Sequence, residues 1–140
     1  MGHPKIEDDF GLYFIEMETV DDALGAPKLL LSLTVDTVND TVQGTQTITQ
    51  AVNKPIVSSG VVHGVVIDEY TMDSGAIRYD LVGYPRINWN PNNGIGPVIP
   101  QNFKAMIVLE VGKPEGKAFY KYTTDSCHWN RVAQEIRIIS

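Results

Sequence analysis

The stretch from Leu29 to Val52, LLLSLTVDTVNDTVQGTQTITQAV, constrains the fold of this chain more than any other. Leu29, Leu31, Leu33 and Val35 alternate with Leu30, Ser32, Thr34 and Asp36, which is the period of a strand with one buried face. Past Asn39-Asp40 the apolar positions change to even numbers, with Val42, Gly44, Ile48 and Val52. A two-residue turn at Asn39-Asp40 accounts for the change, because Asn and Asp tolerate the positive φ that a type I′ hairpin turn requires. Such a turn pairs Val38 with Thr41, Val35 with Gly44 and Leu31 with Ile48. It puts the odd residues of the first strand on one face with the even residues of the second. Ser32, Thr34, Thr45, Thr47 and Thr49 then occupy the outer face, where threonine fits a pleated, solvated surface.

The same alternation recurs along the chain. Residues 11–20 place Tyr13, Ile15 and Met17 on one face. A second hairpin joins 61–72 to 76–84, and a turn at Ser74-Gly75 pairs Tyr70 with Tyr79 and Val66 with Gly83. Gly64 and Gly83 within these strands point to bulges or close backbone approach. Phe103, Ala105, Ile107, Leu109 and Val111 face inward in 103–111, Ala118, Tyr120 and Tyr122 in 117–123, and Val132, Ile136 and Ile138 in 132–140. No window shows a helical period with start and stop signals. The expectation is an all-β antiparallel meander of eight strands, one domain over 11–140, preceded by a flexible polar tail at 1–10. At 140 residues the chain can bury a single core. Closing the meander as an up-and-down barrel removes both sheet edges; a two-layer β-sandwich of the same strands is the alternative.

Charge and motif content narrow the function classes. The net charge is −6, and the 11 Lys and Arg are scattered along the sequence. This argues against a nucleic-acid partner and an anionic membrane surface. No run approaches a membrane span, and the first residues lack the apolar core of a signal peptide. The chain therefore reads as soluble, acidic and cytoplasmic. Cys127 is the one cysteine, so no internal disulfide forms. His63, Cys127 and His128 lack the spacing of a metal site. Gly94-Ile95-Gly96-Pro97 lacks the Lys-Ser/Thr and helix of a phosphate loop. Glu16, Glu18, Asp68, Glu69, Asp80 and Glu110 read as solvated strand faces, with Glu69 and Arg78 placed to pair across strands. No catalytic residue, metal or cofactor is assigned.

Residues 85–102, PRINWNPNNGIGPVIPQN, form the one long irregular stretch. Its prolines and glycines exclude a regular central strand, and connections of this length are uncommon unless they carry function. Tyr84, Arg86, Asn88, Trp89 and Asn90 make the candidate ligand site. They combine an aromatic stacking platform with amide and guanidinium donors, a mixture suited to a small molecule or carbohydrate at a barrel mouth. The competing interpretation is that Trp89 pins the loop to the core.

The run from Gly25 to Pro55 carries G-A-P, L-S-L-x-V-D-T-V, V-x-G and I-T-Q-A-x-N-x-P, followed later by Gly83–Pro85 and Gly94–Val98. It resembles the signature of a small family of uncharacterised bacterial β-rich domain proteins. The resemblance implies a bacterial source and a compact β domain, and it brings no activity and no catalytic residues. Lys54-Pro55 departs from the family's Pro-Pro. Three functional readings follow. The first is a non-enzymatic binding or interaction module using the 85–102 loop. The second is a self-assembling homo-oligomer that buries Leu12, Phe14, Leu30, Val65 and Ile67 against its own copy. The third is an enzyme without a recognisable motif.

Overall fold

A computed structural model of the chain describes residues 11–21, 23, 25–50, 57–70, 75–85, 100–124 and 127–140, with Glu69 and Tyr70 described by their backbone alone. The tail at 1–10 lies outside the described residues. Eight strands run in order: β1 (Leu12–Val20), β2 (Pro27–Asp36), β3 (Thr41–Gln50), β4 (Ser58–Tyr70), β5 (Gly75–Tyr84), β6 (Phe103–Glu110), β7 (Glu115–Tyr122) and β8 (Asn130–Ile138). Each pairs antiparallel with its sequence neighbours, and β1 pairs with β8, so the meander closes into a barrel and not a sandwich. Among the described residues no helix is long and apolar enough to cross a membrane.

The alternation in each strand sorts side chains to the two sides of the wall. Tyr13, Ile15, Met17, Leu29, Leu31, Leu33 and Val35 are buried, as are Ile77, Tyr79, Leu81, Phe103, Ile107, Tyr120 and Ile136. An eight-stranded barrel is just wide enough for such side chains to fill it. Two phenols meet inside, with the Tyr13 and Tyr79 hydroxyl oxygens 2.9 Å apart. Burial pushes the Tyr79 phenol far above its ordinary pKa, so it stays a neutral hydrogen-bonding group.

Both hairpin registers differ from the sequence expectation, while the faces do not. Asp36 pairs with Thr41, Val35 with Val42 and Leu33 with Gly44, so residues 37–40 make the connection in place of a two-residue turn. The Asp36 carboxylate organises it, accepting from the backbone of Val38 (2.9 Å) and Asn39 (3.2 Å) and from the Asn39 amide (2.9 Å). Only Asp40 takes positive φ, at 54°. A carboxylate that captures the next backbone N–H groups makes a local turn, and that competitor displaces the type I′ geometry. In the second hairpin Tyr70 pairs with Gly75 and Val66 with Tyr79, so the connection spans 71–74. Both shifts are by an even number of residues, which leaves every side chain on its expected face. The close approach expected at the two glycines is present. A Cβ on Gly64 would collide with the Asp80 carbonyl oxygen, and one on Gly83 would stand 2.9 Å from the Phe103 Cβ.

The seam between β1 and β8 is the shortest pairing, from Met17–Ile138 to Val20–Glu135. Side chains tie it on both sides. Outside, Glu18 accepts from Arg137 on β8 (2.8 Å) and sits 3.1 Å from Lys28 on β2. Inside, Gln134 donates to the Pro27 carbonyl (2.8 Å) and the Asp21 carboxylate (3.1 Å), and accepts from the Tyr120 hydroxyl (2.7 Å). Thr19 accepts from the Leu29 backbone N–H at 2.9 Å.

Two predictions test the seam. Gln134→Leu keeps the size but removes the acceptor for Tyr120 and the donor to Pro27. It should lower unfolding free energy in urea by about 1–3 kcal/mol, the cost of buried groups left unpaired. The Arg137 hydrogen bond, then Lys28, holds the Glu18 carboxyl below its ordinary pKa. A depressed carboxyl stabilises the fold above its unfolded pKa, and the contribution is lost as pH falls through the lower folded value. The urea midpoints of wild type and Glu18→Gln should therefore differ at neutral pH and converge as pH drops below roughly 4.

Candidate functional site

The outer wall of β4–β8 holds an apolar groove of about 730 Å³. Register explains its composition. One row across the strands reads Val65, Asp80, Met106, Phe119 and Ala133. The row beside it, two residues along each strand, reads His63, Val82, Lys104, Lys121 and Arg131. All ten line the groove. Phe119 stands 44% exposed beside the small Ala133, and Val65 is 45% exposed. The one carboxylate of the first row, Asp80, is held by Arg78, which donates from Nε (2.8 Å) and Nη2 (2.9 Å). That bidentate pairing leaves the row effectively apolar.

The second row is electrostatically unusual. Lys28, Arg78, Lys113, Lys117 and Arg137 each lie within ion-pair distance of a carboxylate. Lys104, Lys121 and Arg131 are the described Lys and Arg for which no carboxylate of the described residues is that close. They stand side by side, Lys104 opposite Lys121 and Lys121 opposite Arg131. Like charges directly opposite on neighbouring strands destabilise a sheet. The Lys121 ammonium lies 5.1 Å from the centre of the Trp129 ring, a cation–π contact that positions the charge without neutralising it.

At one margin, the His63 ring stacks on Tyr84, centroids 5.7 Å apart with planes 8° from parallel. Gln101 donates to the Tyr84 hydroxyl at 3.4 Å. Tyr84 is thus the member of the sequence-predicted site that the structure places, beside the groove at the end of β5; Arg86, Asn88, Trp89 and Asn90 lie outside the described residues. The apolar outer positions expected from sequence do face outward, with Phe14 at 69% and Ile67 at 38% exposure. Among the described residues no three His, Cys, Asp or Glu side chains converge as metal ligands.

Sequence reasoning did not find Lys104, Met106, Phe119, Lys121 or Arg131. A partial signal was present: Met106 and Phe119 fall on the outward phase of strands whose inward phase is already apolar, and each has a lysine two residues away on that phase. Their assembly into one patch depends on the register of β6, β7 and β8, which alternation does not specify. The cations that are dispersed along the chain are contiguous on the wall.

The cation row gives a stability prediction of unusual sign. Lys104→Glu replaces a like-charge neighbour of Lys121 with an opposite one and breaks no ion pair among the described residues. It should leave the unfolding free energy unchanged or raise it by about 0.2–1 kcal/mol, measured by urea denaturation.

A family model described as a domain of unknown function, DUF1842, matches residues 10–129. No curated protein matches the chain.

Proposed function

We propose that this chain, which belongs to the DUF1842 family of domains of unknown function, is a non-enzymatic binding module that docks a segment of a partner protein in the groove on the outer wall of β4–β8. The groove itself is the observation that supports this reading. It sets Met106, Phe119 and Val65 together on the solvent side of the wall, and contiguous exposed apolar surface marks interaction sites. Among the described residues, two other modes of binding are closed off. A closed sheet has no edge to which a partner strand can add, and the interior is occupied by large buried side chains.

A second reading, self-assembly, draws support from β4. Val61, Val65 and Ile67 continue the apolar wall along that strand and are all exposed, so a second copy could cover the same surface.

The groove is tested with a neutral apolar dye, Nile red, whose emission rises on leaving water. The wild-type chain should enhance the emission. Met106→Asp and Phe119→Asp should each weaken dye binding by about fivefold or more, equivalent to roughly 1 kcal/mol of lost apolar contact, while Phe14→Asp, outside the groove, should not. Equal binding by all four proteins would sink the groove as the site. Native mass measurement at micromolar concentration decides the second reading. A dimer that Phe119→Asp converts to monomer would favour self-assembly, and a wild-type monomer would remove it.

A further inference from the structure

We infer that the occupant of the groove is an acidic amphipathic helix, with its carboxylates on the row Lys104–Lys121–Arg131 and its apolar stripe on Met106–Phe119–Ala133; this rests on the binding reading above. The first argument is charge. The described residues hold ten Asp and Glu side chains against eight Lys and Arg. Five of the described cations have a carboxylate within ion-pair distance, yet these three adjacent cations do not, among the described residues. A row of like charges held in register is favourable when an anion from outside covers it.

The second argument is spacing. Neighbouring strands lie about 4.8 Å apart, so three cations in register on β6, β7 and β8 extend over roughly 10 Å. One carboxylate spans far less and engages one or two of them. Carboxylates at i, i+4 and i+7 of a helix rise over about 10 Å, from 1.5 Å per residue, along one flank. The apolar row runs parallel to the cation row, two residues along each strand or about 6.6 Å away. An amphipathic helix presents an acidic flank beside an apolar stripe at that scale. Arg131 adds a planar fork suited to bidentate carboxylate binding.

Topology provides the third argument. An extended strand has no edge to join.

The test is selection from a displayed library of helical peptides of about 20 residues, long enough to hold a helix. The apolar stripe is fixed as Leu and Met, and flanking positions carry Glu or Lys in equal proportion. Selection against the full chain should enrich Glu at i, i+4 and i+7 on one flank. A selected peptide should bind Lys104→Glu/Arg131→Glu at least about tenfold more weakly than wild type, a change of ~1.4 kcal/mol. It should also weaken with added salt and be retained by Lys104→Arg. Peptides enriched without bias toward Glu, yet lost on Phe119→Asp, would overturn the acidic helix and leave the groove standing. Failure to select any peptide whose binding depends on Phe119 would overturn both. Phosphatidylglycerol vesicles bound by wild type and not by Lys104→Glu/Arg131→Glu, with no Glu-rich peptide selected, would replace the helix with a membrane surface.

Discussion

The pairing of β1 with β8 determines what every other surface of this molecule can do. Without it the sheet would expose two rows of backbone N–H and C=O groups, each a template for another strand. The seam is short, which explains why so much side-chain chemistry gathers there. Glu18 bridges β1 to cations on both neighbours. Gln134 joins β8 to Pro27 at the start of β2 and to Asp21 just beyond β1, and receives Tyr120 from β7. The backbone adds to it beyond the ladder, with Glu16 donating to the Ser140 carbonyl (3.0 Å) and accepting from Ile139 (2.8 Å). Closure is therefore a cooperative feature of four strands, not one ladder.

Closure also directs where recognition can occur. The inward phase is committed to packing, and the backbone is committed to its own ladder, so the surfaces left to the solvent are the outward side chains and the barrel ends. Apolar side chains stand outward on other parts of the wall as well, Phe14 and Leu30 among them. The region spanning β4–β8 sets an apolar row next to a cationic one that has no carboxylate within ion-pair distance among the described residues. Each row is unfavourable for an isolated domain: exposed aromatic surface costs solvation, and adjacent like charges cost a few tenths of a kcal/mol or more. Two such departures in contact, on a barrel otherwise locally consistent, fit a pattern in which functional surfaces sacrifice stability.

The fold was legible from sequence because the signal for it is local. Eight stretches of alternation, separated by turn residues, specify eight strands and their inner faces without any knowledge of pairing. Tyr13, Ile15 and Met17, or Phe103, Ala105 and Ile107, are assigned inward by their spacing alone, and they are buried. The hairpin connections were less legible. Asn39-Asp40 has the composition of a tight turn, but Asp36, one turn earlier, captures the backbone of Val38 and Asn39 and lengthens the connection. That competition is between two local hydrogen-bond patterns of similar worth, and the order of residues does not decide it.

The groove was illegible for a related reason. The core tolerates any register shift of an even number of residues, because such a shift moves buried positions onto buried positions. The outer wall has no such tolerance. With the tight turn expected at Ser74-Gly75, Val65 would face Tyr84; in the longer connection it faces Asp80, and Tyr84 moves out to Val61 and into its stack with His63. Likewise Lys104 reaches Lys121, and Lys121 reaches Arg131, only in the observed registers of β6–β7 and β7–β8. Connection lengths therefore have little influence on whether this barrel has a core and a decisive influence on which side chains share its outer surface. A two-residue shift in the register of β6 against β7 would keep the same faces buried, yet it would separate Lys104 from Lys121 and Met106 from Phe119. In a barrel of this kind the register of the strands composes the outer surface.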